Sequence, residues 1–154
     1  MESIPNTYLH QRRFLDKNPK KYLLVWSTGA GKTYAACEYS KTKYPALIIC
    51  PKGLREHWKR NCVQHQLSDY VILSKEEFRK LHKEIPRFKS VIVDEAHAFS
   101  NHKSQLAKAL NWYFKHYEIE YRLFLTATPY RSTPLNIFTL GVLLGAGWKW
   151  GDFA

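Results

Sequence analysis

Cysteine is scarce in this sequence and poorly placed for cross-linking. Cys37, Cys50 and Cys62 form no C-x-x-C pair, and an odd number leaves one thiol without a mate. A disulfide framework is therefore excluded, a zinc site has no support, and a reducing compartment is expected. Cys50 closes the apolar run Ala46-Leu47-Ile48-Ile49-Cys50 and reads as a small core hydrophobe. Long hydrophobic runs are missing too. The longest apolar stretch, Leu135 to Trp148, is interrupted by Asn136, Thr139 and three glycines, so it is too short and too broken to span a bilayer. Met1-Glu2-Ser3-Ile4-Pro5 has neither the basic nor the apolar region of a secretory signal. No internal repeat or low-complexity tract is present. These absences imply a soluble protein of the cell interior, cytoplasmic or nuclear, neither secreted nor held in a membrane.

Acidic residues are in short supply. Asp and Glu number 13 against 24 Lys and Arg, a formal net charge of +11. A polyanionic partner, nucleic acid first, is the natural expectation, because basic surface displaces the counterions of a phosphate backbone. What the chain does hold is core material. Hydrophobic residues make up 45% and aromatics 15% of 154 residues, enough for one well-packed domain and incompatible with disorder.

Short apolar runs alternate with helix-compatible segments. Tyr22–Trp26 precedes a glycine turn and a helical stretch from Lys32 to Lys43. Ala46–Cys50 precedes a segment with Leu54, Trp58 and Cys62 on one face. Val71–Leu73 precedes Lys75–Lys83, and Val91–Val93 precedes a helix over Ser104–Tyr117. Arg122–Leu125 precedes a helix from about Leu135 to Leu144. The apolar runs are continuous rather than alternating, as in strands covered on both faces. The pattern predicts an α/β fold with a doubly wound, mostly parallel sheet and helices on both faces, whose ligands sit beyond the carboxyl ends of the strands.

Each chemical motif falls at such an end. Ser27-Thr28-Gly29-Ala30-Gly31-Lys32-Thr33 follows the first strand and opens a helix. Glycines there let successive N–H groups face phosphate oxygens. Lys32 would bridge the β- and γ-phosphates of ATP, and the Thr33 hydroxyl would ligate Mg²⁺. The full P-loop pattern asks for glycine where Trp26 stands, so a plain glycine turn stays open as a reading. Asp94-Glu95-Ala96-His97 follows the fourth run. A nucleotide-bound Mg²⁺ needs one carboxylate near its hydration shell and a second to orient the attacking water; Asp94 and Glu95 are the candidates. Alone, the same acids could merely cap a helix; downstream of a phosphate loop they point to catalysis.

At these residues the sequence resembles a known group. Asp94-Glu95-Ala96-His97 is similar to the DEAH-type motif II of superfamily 2 helicases and translocases, and Thr126-Ala127-Thr128-Pro129 to their motif III. Leu47 through Leu54 with Trp58, Asn101 and Ser104, and Leu135 through Leu144 resemble the Swi/Snf-like branch, and Leu9-His10-Gln11 resembles the glutamine motif. The resemblance implies a RecA-like P-loop lobe over 1–154, with 145–154 as the possible start of an interlobe linker. It implies that Gln11 reads the adenine edge and that Thr28, Gly29, Ala30, Gly31, Lys32 and Thr33 hold the phosphates. Thr33 and Asp94 would serve the metal, and Glu95 with Lys32 the chemistry. His97 would couple to Thr126 or Thr128, and Lys52, Arg55, Ser74 and Lys75 would grip a nucleic-acid backbone, DNA favoured over RNA. A second RecA-like lobe, in cis or in trans, would complete the site. Its absence would slow hydrolysis by about 10³–10⁵. The alternative is a single-lobed, non-catalytic nucleotide- or nucleic-acid-binding module. Arg12, Arg13, Lys17, Lys20 and Lys21 read as a solvated face, and Trp58, by its spacing, as core.

Overall fold

The computed structural model describes residues 9–26, 31–99, 101, 103–127 and 134–145. Thr28, Gly29, Ala30, Thr128 and the 146–154 part of the expected linker lie outside the described residues. Helix α1 (Leu9–Lys17) leads into β1 (Lys21–Val25), α2 (Lys32–Ser40), β2 (Ala46–Cys50), α3 (Arg55–Gln64) and β3 (Tyr70–Ser74). Then come α4 (Lys75–Leu81), β4 (Ser90–Val93), α5 (Gln105–His116), β5 (Tyr121–Thr126) and α6 (Pro134–Leu144). The five strands form one parallel sheet in the order β1-β5-β4-β2-β3.

Parallel pairing forces a crossover after each strand, and the helices of those crossovers cover both faces. The sheet therefore sorts neighbouring residues to opposite sides. Leu47, Ile49, Val91, Val93 and Phe124 face α4, α5 and α6, where Phe78, Leu110, Tyr113 and Leu143 complete one core. Ile48, Cys50, Ile92, Leu123 and Leu125 face α1, α2 and α3, where Phe14, Ala35, Tyr39, Trp58 and Cys62 complete the other. This two-sided burial is why β2 and β4 carry no polar alternation: all five residues of β2 and all four of β4 are buried.

Local chemistry sets the helix starts. Ser74 caps α4 in a reciprocal box, its hydroxyl accepting from Glu77 N–H at 3.1 Å while Glu77 Oε1 accepts from Ser74 N–H at 3.0 Å. Ser104 caps α5 by accepting from Ala107 N–H at 3.1 Å. Helix α2 ends three residues before the expected Lys43, whose buried ammonium turns back to donate to the Tyr39 carbonyl at 2.8 Å. The basic residues Arg12, Arg13, Lys17, Lys20 and Lys21 are exposed, as their composition implied.

One strand residue departs from the apolar pattern. Arg122 is buried in β5, with Nε donating to the Ile119 carbonyl and Nη1 to the Leu143 carbonyl, each at 3.0 Å, and its guanidinium 4.2 Å from the centroid of Phe114. It ties β5 to the end of α6. Burial pushes its pKa down, yet the guanidinium keeps its proton. Arg122→Ala would leave two buried carbonyls without donors, so a loss of about 2–4 kcal/mol is expected. Urea unfolding checks this; a change below about 0.5 kcal/mol, the range of ordinary surface substitutions, would refute a structural role for the guanidinium.

Candidate nucleotide site and nucleic-acid face

Strands β1 and β4 flank β5, so the phosphate-loop strand and the acidic strand end on the same edge, two strand spacings or roughly 10 Å apart. The registers Val25↔Thr126 and Val93↔Phe124 keep those ends nearly level. Gly31 begins α2 with φ 79°, a left-handed conformation that glycine adopts without strain. A Cβ there would overlap the Gln11 side-chain amide, whose Nε2 donates to the Gly31 carbonyl at 3.1 Å. Gln11 is therefore buried against Gly31 rather than lying on the solvated face of a basic helix. Trp26, standing where the loop pattern asks for glycine, packs edge-on against His10 at 4.5 Å and Phe14 at 6.0 Å. Its carbonyl accepts from Lys32 Nζ at 2.9 Å. The tryptophan thus packs on α1 while its backbone carbonyl holds the Lys32 ammonium.

At the other strand end Asp94 is buried, and Glu95 follows it in a left-handed turn with φ 50°. For a residue with a Cβ that conformation costs about 1–2 kcal/mol. It is retained because the Glu95 N–H donates to Asp94 Oδ1 at 2.9 Å and the Glu95 carbonyl accepts from Lys75 Nζ at 3.2 Å. The turn projects the Glu95 carboxylate outward while Asp94 stays inside, so one acid faces solvent and its neighbour is held fixed. Burial pushes the Asp94 carboxyl above the usual carboxylate range, opposed by hydrogen bonds from the Trp58 indole and the Glu95 N–H and by the nearby Lys75 ammonium.

Helix α3 joins the two halves. His57 Nε2 lies 3.4 Å from Thr33 Oγ1, and Trp58 Nε1 donates to Asp94 Oδ2 at 2.9 Å. Two consecutive residues of one helix thus touch the first turn of α2 and the end of β4. Further along, His65 Nδ1 is 2.7 Å from Glu38 Oε1, and Cys37 and Cys62 are buried in the same core. His57 and the indole contact of Trp58 were not anticipated from sequence. The one available signal was that a buried indole N–H needs an acceptor.

Two expectations for the nucleic-acid face require correction. Ser74 is buried, with its hydroxyl and N–H both engaged by Glu77, because it caps α4. Lys75 is also buried and points at the Glu95 carbonyl; desolvation pushes its pKa down, partly offset by Glu95 and Asp94. Neither is presented on the surface in this structure. Lys52, Arg55, Lys59 and Arg60 are exposed as expected. Arg55 Nη1 sits 3.3 Å from Glu77 Oε1, and an open cleft of about 220 Å³ between α3 and the edge strand β3 is lined by Arg55, Glu56, Lys59, Tyr70 and Ile72. The link from His97 to Thr126 is not formed either. His97 Nε2 lies 3.9 Å from Glu95 Oε2, and the buried Thr126 hydroxyl has no hydrogen-bond partner among the described residues. The link to Thr128 lies outside those residues.

The strand order and the placement of the charged strand ends define a RecA-like α/β domain. The solved SWI2/SNF2 ATPase core of Sulfolobus solfataricus in complex with dsDNA has the same fold, with a TM-score of 0.73 at 20% identity over 96% of this chain and 38% of that one. A sequence model of the SNF2-related domain matches residues 66–148, and the chain belongs to that family. It is 27% identical over 172 residues to the yeast TATA-binding protein-associated factor MOT1, an alignment covering 82% of this chain and 9% of that protein. It is 36% identical over 101 residues to the putative ATP-dependent RNA helicase L538 of Acanthamoeba polyphaga mimivirus, covering 60% of this chain and 22% of that protein. The chain thus spans only a small part of the curated relatives it matches. Among the described residues no helix is long and apolar enough to cross a membrane.

The raised Asp94 carboxyl makes a pH-dependent prediction. The folded chain holds this proton to higher pH than the unfolded chain does, so the group subtracts stability as pH rises above about 4. Asp94→Asn cannot ionise and escapes that loss. Its melting temperature relative to the parent should therefore rise between acid and neutral pH, by about 2–4 °C for each kcal/mol. Thermal melts at both pH values check this, and an equal difference at the two would contradict it.

Proposed function

We propose that this chain is the ATP-binding lobe of an ATP-dependent nucleic-acid translocase or helicase, acting on double-stranded DNA and hydrolysing ATP with Mg²⁺. The observation that carries the reading is the bridge through α3, by which His57 reaches Thr33 and Trp58 reaches Asp94. A shared site for Lys32, Thr33 and the acid pair is supported by this contact of one helix with both Thr33 and Asp94. The donor set fits a magnesium-bound triphosphate. Gly31 turns left-handed into α2, Lys32 supplies a cation, and Thr33 and Asp94 offer the hard oxygens that magnesium prefers. The metal, when bound, would neutralise charge on the β- and γ-phosphates.

The protein's own groups then divide the work. Lys32 exchanges the Trp26 carbonyl for phosphate oxygens. Glu95, exposed on its strained turn, accepts a hydrogen bond from the water that attacks the γ-phosphate and aligns it. Gln11, already beside the loop, reads the adenine edge. Thr28, Gly29 and Ala30 complete the loop, and Thr128 joins His97 in linking nucleotide state to the nucleic-acid face. Lys52, Arg55 and Lys59 grip the phosphate backbone without reading bases. A second RecA-like lobe, in cis or in trans, supplies the remaining cations, and 145–154 begins the connection to it. The choice of duplex DNA rests on the likeness to a core solved with dsDNA.

Nucleotide binding by calorimetry tests the reading at its base. The chain should bind ATP with Mg²⁺, and Lys32→Ala should weaken this at least tenfold; equal affinity would refute the assignment. ATPase turnover should appear with a second lobe and nucleic acid present. Both Lys32→Ala and Glu95→Gln should lower it by several orders of magnitude, and unchanged turnover in Glu95→Gln would remove that residue from the chemistry.

A salt titration tests the nucleic-acid face. Three phosphate contacts at Lys52, Arg55 and Lys59 predict a slope of log affinity on log salt of about −2.7, or roughly 40-fold between 50 and 200 mM. Arg55→Ala should reduce that slope by about one. Parallel titrations on DNA and RNA duplexes decide the substrate, and tighter RNA binding would overturn the choice of DNA.

A further inference from the structure

Trp58 is buried among apolar residues and thiols of one core, yet its indole N–H leaves that core to donate to Asp94 Oδ2 at 2.9 Å. The other oxygen, Asp94 Oδ1, accepts from the Glu95 N–H at 2.9 Å. The final torsion of an aspartate is broad and two-fold, so a carboxylate without such partners samples many orientations. Here two donors, one on each oxygen, approach from separate elements, α3 and the turn after β4. Each carboxylate oxygen has about two lone-pair positions. One on each is taken by a donor, and the others stay available in a fixed direction. No other hydrogen-bonding group from α3 reaches Asp94 in the described residues, so the orientation depends on the indole.

We propose that Trp58 is a positioning residue for the metal side of the site, its indole N–H fixing the Asp94 carboxylate in the orientation that receives nucleotide-bound Mg²⁺. The inference rests on the nucleotide site proposed above and assigns to Trp58 a role that its spacing as a core residue does not reveal. Partners that orient a metal-side group typically account for about 10–100-fold in metal affinity. The predicted signature is specific: Trp58 affects the gain in nucleotide affinity that magnesium provides, and leaves alone the affinity of the loop for the nucleotide itself.

The test measures binding of a fluorescent ADP analogue to the whole chain, once with excess Mg²⁺ and once with EDTA. The ratio of the two affinities is the magnesium gain. Trp58→Phe keeps the aromatic bulk and removes the donor; it should lower the gain about tenfold or more while the affinity in EDTA stays within about twofold. Phenylalanine is smaller than tryptophan and could unfold the core. For that case the indole is replaced at position 58 by its benzothiophene analogue, which has the same shape without the N–H, and the same loss is expected. In an Asp94→Asn background the Trp58 replacement should have no further effect on the gain. A magnesium gain equal to the parent's in the benzothiophene variant overturns the inference. A parallel fall of both affinities overturns it too, since Trp58 would then be only core. A parent chain that binds nucleotide with no magnesium gain removes the nucleotide-site reading itself, and that outcome is distinguishable from the other two.

Discussion

A carboxylate sealed at the end of a central strand destabilises a fold unless donors surround it, and Asp94 is such a group. Burial favours its neutral form, while the Trp58 indole, the Glu95 N–H and the Lys75 ammonium favour the charged one. Much of the local architecture follows from meeting that need. Helix α3 must lie close enough for its tryptophan to reach across, and the chain after β4 must turn left-handed to bring a backbone donor onto the same carboxylate. Lys75 must forgo the surface to hold the turn in place. The residues on either side of these donors then have fixed positions: His57 over the first turn of α2, and Glu95 facing outward.

The parallel sheet was legible from the sequence because its signal is dense. Continuous apolar runs at Ala46–Cys50 and Val91–Val93 can only be strands buried on both faces, and each was followed by residues able to start a helix. That the strands leading to Trp26 and to Asp94 end on one edge of the sheet followed from the architecture. Element boundaries were close, because Ser74 and Ser104 are capping residues whose chemistry is local. A buried arginine within β5 was not legible, since its partners are backbone carbonyls, at Ile119 and Leu143.

Side-chain direction was the less readable part, and Lys75 shows why. A lysine at a helix start after a strand is chemically suited to a phosphate, and sequence offers no means of telling that its ammonium turns inward. The deciding partner is a backbone carbonyl twenty residues away, and backbone groups leave no mark in a sequence. Ser74 illustrates the converse: Ser-x-x-Glu is itself a capping signature, and that local reading explains its burial better than the motif did. Trp58 is intermediate. Its spacing gave the burial correctly and was silent on the polar edge of the ring.

The brace between α1 and the loop bears on where this domain begins. The Gln11 amide and the aromatic side chains of His10 and Phe14 reach across from α1 to Gly31 and Trp26. A truncation that starts at β1, just ahead of Trp26, would keep every strand and still remove the side chains that pack on Trp26 and Gly31. The fold around Gly31 is therefore larger than the span of the signature motifs, since it takes in the helix that precedes the first strand.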